Sequence, residues 1–127
     1  MNDAITAFIS HNLRLEPVAG LGGIRLYTAH SGSRLSRLMD EDDPDPPAPY
    51  WAYQWAGGLA LARYIEDHAE RVAGKRLLDL GAGSGLVGIV AARAGAQVCA
   101  AEIDPHGRTA VALNAAANGV AIELRDI

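Results

Sequence analysis

Residues 77–88 read Leu77-Leu78-Asp79-Leu80-Gly81-Ala82-Gly83-Ser84-Gly85-Leu86-Val87-Gly88, and the rest of the chain is arranged about them. Three leucines and an acid suit a buried parallel strand, a glycine cluster follows at once, and an apolar, alanine-rich helical pattern begins at Leu86. The order predicts strand, tight loop, helix. Glycines in such a loop take backbone angles closed to other residues and let a ligand approach the main chain, which suits a nucleotide-containing ligand.

Asp79 narrows the choice of ligand. A pyrophosphate held at the N-terminus of the next helix would be repelled by a carboxylate beside it. S-adenosylmethionine has no phosphate but carries an ammonium and a sulfonium, so an acid two residues before the first glycine suits it better. The run Asp79–Gly85 resembles the first motif of the Rossmann-like S-adenosylmethionine-dependent methyltransferases. Gly83-Ser84-Gly85-Leu86-Val87-Gly88 also satisfies Gly-x-Gly-x-x-Gly, so a nicotinamide or flavin dinucleotide and a purely structural turn stand as alternatives.

The 127 residues allow one domain with a modest core, and much of the 50% hydrophobic content is alanine, which calls for tight helix-on-sheet packing. A net charge of −4 with no basic stripe argues against a nucleic-acid partner. Cys99 is the only cysteine, so no disulfide forms within the chain; it is expected as a small buried hydrophobe in a reducing, cytoplasmic setting. No apolar run approaches the ~20 residues of a membrane span. His11, His30, His68 and His106 lack metal-ligand spacing, so no metal site is expected, and no serine or cysteine sits in a nucleophile elbow.

Residues 1–39 read as an N-terminal appendage covering part of the main sheet. A short amphipathic helix runs over Asp3–Leu13 on Ile5, Phe8, Ile9 and Leu13; Pro17 and nearby glycines break the chain; Ile24–His30 alternates as a strand; Ser33–Met39 forms a brief helix. Residues 40–49 hold five acidic residues and four of the six prolines, a linker in which regular structure cannot persist. That loop is either simply solvated or helps to select a basic partner. Residues 50–127 hold the ligand-binding half-domain. It opens with Tyr50, Trp51, Tyr53 and Trp55, rings that either anchor the next helix or line the pocket, with Trp55 taken as a lining residue. The helix Leu59–Val72 then presents Leu61, Ala62, Ile65, Ala69 and Val72, and Gly74 ends it.

Pro49–Gly58, a helix, and Leu77–Gly85 together are similar to bacterial relatives of the electron-transfer-flavoprotein β-subunit lysine methyltransferases. That group belongs to the wider seven-strand, nicotinamide N-methyltransferase-like class, and the similarity extends over the whole chain. It implies an α/β fold: a Rossmann-like parallel sheet flanked by helices, here the first three of seven strands, behind a short N-terminal α+β appendage.

After the helix Leu86–Ala94 and Gly95, Gln97–Glu102 reads as the second strand. Glu102 lies twenty-one positions after Gly81, the distance at which an acid at a strand tip reaches both ribose hydroxyls. Asp104 competes for that role, but Asp104-Pro105 has the form of a helix N-cap with proline at the first helical position. A helix runs on to Asn118, Gly119 stops it, and Val120–Arg125 is the third strand. The resemblance adds Ile103 to the ligand wall and gives Asp126 the adenine amino group to accept from; an ordinary loop aspartate is the alternative. Gly81, Ala82, Gly83, Ser84 and Gly85 complete the set expected around S-adenosylmethionine, with Ser84 a turn residue or a ligand hydrogen-bonder.

The implied activity is methyl transfer to a lysine of a protein substrate, with this chain supplying the donor site. The catalytic residues are unassigned, because the family's acceptor motif follows a fourth strand. The chain is expected to be a truncated piece of a longer single-domain protein, with pairing of a second chain on the open sheet edge as the alternative. A non-catalytic binding or scaffold module and a dinucleotide oxidoreductase are the other readings.

Overall fold

The computed structural model describes residues 3–126, whose elements run α1 (Asp3–Asn12), β1 (Arg14–Pro17), β2 (Arg25–Thr28), α2 (Ala56–Asp67), β3 (Arg76–Leu80), α3 (Leu86–Arg93), β4 (Gln97–Ala101), α4 (Pro105–Ala117) and β5 (Glu123–Arg125). Short 3-10 turns lie at Leu35–Leu38, Tyr50–Ala52 and Ala69–Arg71. The fold is α/β. Strands β3, β4 and β5 lie side by side in that order, all parallel, with Asp79 opposite Ala100 and Ala100 opposite Leu124. The predicted strand–loop–helix order therefore holds. The third strand is shorter than the expected Val120–Arg125, because Val120 and Ile122 pack into the core and only Glu123–Arg125 reach the ladder.

One face of this sheet is covered and the other is open. On the covered face, bearing Leu77, Asp79 and Val98, Gly88 of α3 comes close enough for its amide to donate to Asp79 and for its Cα to lie against Val98. On the other, Leu78 is 61% and Leu80 69% exposed, and Cys99 is only half-buried. The expectations of a wholly buried first strand and a buried Cys99 are thus corrected, since among the described residues the helices cover one face only. The far edge of β3 is also unpaired.

Helix α2 packs on α3 along Leu59, Ala62 and Ile65, which turns the expected core residue Leu61 to solvent. It ends at Asp67, and the 3-10 turn that follows breaks the 3.6-residue spacing before Ala69 and Val72. Helix α4 starts as the sequence predicts. Asp104 Oδ1 accepts from the His106 amide at 2.9 Å, with Pro105 at the first helical position. Its buried residues Gly107, Thr109, Ala110, Val111, Asn114 and Ala115 are small or compact because α1, β2, α3 and β5 all press on it. A helix with several neighbours carries its buried positions on more than one side and shows a weak apolar stripe, with Leu113 its only leucine.

The N-terminal segment holds an element that the sequence did not reveal. β1 pairs antiparallel with β2, Leu15 opposite Tyr27, and Pro17 closes β1, where a missing amide is tolerated. β2 is shorter than Ile24–His30, and the helix expected over Ser33–Met39 is one 3-10 turn. The hairpin does not hydrogen-bond to the sheet but to α4. Asn114 Oδ1 accepts from the Tyr27 amide at 2.8 Å, Asn118 Oδ1 accepts from the Arg25 amide at 3.0 Å, and Asn118 Nδ2 donates to the Arg25 carbonyl at 2.7 Å. Val18, Leu21, Ile24 and Leu26 then share a core with Ala62, Ile65, Leu86, Ile89 and Val90. Among the described residues no helix is long and apolar enough to cross a membrane.

Candidate functional site

The glycine loop ends β3, and its backbone explains the composition. Gly81, Gly83 and Gly85 all have positive φ, and Gly85, at φ 87°, caps the N-terminus of α3. The loop is tied down on three sides. Gly81 and Ala82 donate to the Ala101 carbonyl at 2.8 and 3.1 Å, the Ser84 carbonyl accepts from Asn114 Nδ2 at 2.8 Å, and Gly83 donates to Glu102 Oε1 at 2.9 Å.

Glu102 is 8% exposed and uses both carboxylate oxygens, since Oε2 accepts from the Asp104 amide at 2.8 Å. Each oxygen accepts one backbone bond and keeps a lone pair. Asp79 Oδ2 accepts from the Gly88 amide, in the first turn of α3, at 3.1 Å. Bare backbone stands behind both acids. A Cβ on Gly107 would lie 2.9 Å from Glu102 Cγ, so that side chain would have to move beside an alanine, and one on Gly88 would lie 3.2 Å from Asp79 Oδ2 and press it aside by a few tenths of an ångström. Burial pushes the Asp79 carboxyl above its ordinary value, with nearby Glu102 adding to the rise, while the Gly88 amide opposes it.

These residues surround a cavity of about 560 Å³ at the carboxyl ends of β3 and β4. Asp79, Gly81, Ala82, Gly83, Ser84, Glu102, Ile103 and Trp55, of the residues read from the sequence, line it. Gly85 does not; it serves as the helix cap. Asp126 does not either and sits exposed just beyond β5. Tyr50, Trp51 and Trp55 all line the cavity, and in place of the expected anchoring of the next helix Trp51 packs on α1 and α4. Trp51 is buried with Ile9, Leu13 and Ala110, whereas Tyr50 and Trp55 are exposed at the cavity, where Trp55 Nε1 donates to the Tyr50 carbonyl at 2.9 Å. Gly107, Asn114 and Asn118 were missed. A glycine in the first turn of a helix, and two asparagines four apart in an alanine run, are the signals that mark them.

The cavity's charge selects its ligand. Asp79, Glu102 and Asp104 line it, and no lysine, arginine or histidine does. One of the first-turn α3 amides that an anion would share, that of Gly88, is already held by the chain's own Asp79. Such a wall fits a cationic ligand with vicinal hydroxyls and disfavours a dinucleotide.

The family model described as "Lysine methyltransferase" matches residues 52–124, more than half of the chain, including the glycine loop, Asp79 and Glu102. The chain belongs to the lysine methyltransferase family. Within that family it is 46% identical over 71 residues to the human electron transfer flavoprotein beta subunit lysine methyltransferase, covering 55% of this chain and 27% of that protein. The Rattus norvegicus counterpart is 45% identical over 73 residues, 57% of this chain and 29% of that protein. The histone-arginine methyltransferase METTL23 of Rattus norvegicus is 37% identical over 81 residues, 54% of this chain and 36% of that protein. The match thus spans well under half the length of the curated relatives. Among solved structures, the ribosomal protein L11 methylase of Lactobacillus delbrueckii subsp. bulgaricus has a TM-score of 0.49 and 32% identity over 57% of this chain and 38% of that one.

The raised pKa of Asp79 gives a prediction for stability. The unfolded chain loses this proton at lower pH than the folded one, so between the two values the folded protein binds more protons, and this residue's contribution falls as pH rises. Asn can still accept from the Gly88 amide. Asp79→Asn should therefore flatten the pH dependence of stability above the ordinary carboxyl range and leave the fold at least as stable at pH ~7, as urea unfolding across that range will report.

Proposed function

We propose that the cavity at the ends of β3 and β4 is the methyl-donor site of an S-adenosylmethionine-dependent protein-lysine methyltransferase. The observation that carries this reading is a glycine loop whose cavity is walled by three carboxylates and no cation, with one of its helix amides taken by Asp79. The cavity is of the size that takes a nucleoside-containing ligand. In this reading Glu102, with one free lone pair on each oxygen, accepts from two vicinal ribose hydroxyls. Asp79 attracts the ligand's positive charge from within the cavity wall. Ile103, 72% exposed at the rim, and Trp55 supply apolar faces for a flat base. Bound S-adenosylmethionine supplies an activated methyl group, and this chain's residues hold and orient it beside the acceptor. The free edge of β3 would accept further strands, and the exposed Leu78–Leu80 face a covering layer, from the same polypeptide or a second copy.

The test is calorimetric titration with S-adenosylhomocysteine and, separately, with NAD. Binding of the thioether alone is the expected result. Binding of NAD alone would overturn the reading. Acceptor assignment follows from methyl incorporation into protein lysine, with the electron transfer flavoprotein beta subunit as the first substrate to try, since relatives bear that name.

A further inference from the structure

A second cavity, of about 250 Å³, adjoins the first, and Pro47, Trp51 and Asp104 line both. Leu35, Leu38, Met39 and Pro46 give it apolar sides, and Asp40, Asp43 and Asp104 give it three carboxylates. No lysine or arginine lines it; His106 does, with its Nδ1 3.8 Å from Asp104 Oδ1. Each acid spends one oxygen on its own backbone: Asp40 Oδ1 accepts from the Asp42 amide, Asp43 Oδ1 from the Asp45 amide and Asp104 Oδ1 from the His106 amide, all at 2.9 Å. The second oxygen of each remains an acceptor.

Apolar walls bearing carboxylates are complementary to a long aliphatic stem that ends in a cation. The volume lies below the usual range of small-molecule sites and is ample for one long side chain. Trp51 points the same way. It is 2% exposed, forms part of the wall between the two cavities, and its indole Nε1–H has no hydrogen-bond partner. Buried donors are seldom left so, and an occupant that shifts this wall enough to bring an acceptor to it would satisfy the indole.

We propose that this cavity receives a lysine or arginine side chain of the acceptor polypeptide, one that flanks the residue presented to the donor cavity. The role as an acceptor subsite rests on the methyl-donor reading; the cavity's selectivity for a cation does not. The acidic Pro-rich loop then acts as a specificity element, holding Asp40 and Asp43 over the cavity while Glu41 and Asp42 lie outside its lining.

The probe is the peptide acetyl-pentalysine amide, titrated against the full chain at low salt and followed by tryptophan fluorescence. The double variant Asp40→Asn/Asp43→Asn should weaken binding about fivefold, the effect of losing an ion pair of modest exposure. Glu41→Gln/Asp42→Asn removes the same charge from the same loop and should weaken it less than about twofold. Equal loss in both doubles, or no binding by the parent chain, would overturn the proposal. Both doubles are also titrated with S-adenosylhomocysteine. Retained thioether binding with no peptide selectivity sinks this subsite alone, whereas selective peptide binding with no thioether binding sinks the donor reading alone.

Discussion

Glu102→Gln is expected to lower affinity for S-adenosylhomocysteine by about 100-fold, or about 2.7 kcal/mol. The native carboxylate accepts from Gly83 with one oxygen and from Asp104 with the other, so both of its ends face N–H donors. An amide has one accepting end. Either Gly83 or Asp104 would then face an NH₂ group, and the glycine loop would lose its tie to the tip of β4. The same change removes an acceptor for one of two vicinal hydroxyls. Calorimetry on a sample whose circular dichroism matches the parent checks this, and affinity within about threefold of the parent would remove Glu102 from the proposed site.

Asn114→Leu should destabilise the fold by about 3 kcal/mol, as much as a large-to-small change in the core. Asn114 is fully buried, and its amide group joins two distant pieces of backbone, accepting from Tyr27 and donating to the Ser84 carbonyl. Leucine is close in volume but leaves both groups unpartnered in the interior, each at a desolvation penalty of about 1–3 kcal/mol. Urea unfolding measures the change. Asn118→Ala, at a half-exposed position one turn on, provides the comparison and should shift stability by less than about 1.5 kcal/mol. Because Ser84 lies in the glycine loop, Asn114→Leu should weaken ligand binding as well, whereas Asn118→Ala should not.

The parts of this fold that were legible in the sequence are those where one residue type has one physical use. Gly81, Gly83 and Gly85 marked the loop because the turn needs positive φ there, and all three have it. Asp104-Pro105 marked the start of α4 because a cap acceptor and a proline without an N–H belong at a helix start, and Asp104 caps it. Positions set by neighbours distant in the chain were harder to read. Leu78 and Leu80 have the composition of a buried strand, and only the placement of helices on one face shows that they are exposed. β1 is four residues long and ends in proline, so nothing local separates it from a loop; its partner strand and α4 make it a strand. Within the site, Asp79 and Glu102 were legible by spacing from the glycines, whereas Gly107 is explained only by the carboxylate folded against it.

The ties between the hairpin and α4 also set an order of events. Tyr27 and Arg25 are held by residues 87 and 93 positions further along the chain. A two-stranded hairpin alone is marginal in water, and long loop closures are slow to form. During synthesis the first strands leave the ribosome well before the helix that secures them exists. The Arg25 and Tyr27 amides must therefore wait for their partners until α4 has formed, whereas Val18, Leu21, Ile24 and Leu26 can be covered earlier by α2 and α3. Refolding followed by pulsed hydrogen exchange should show the Tyr27 amide gaining protection in the last kinetic phase, after the amides of β3 and β4.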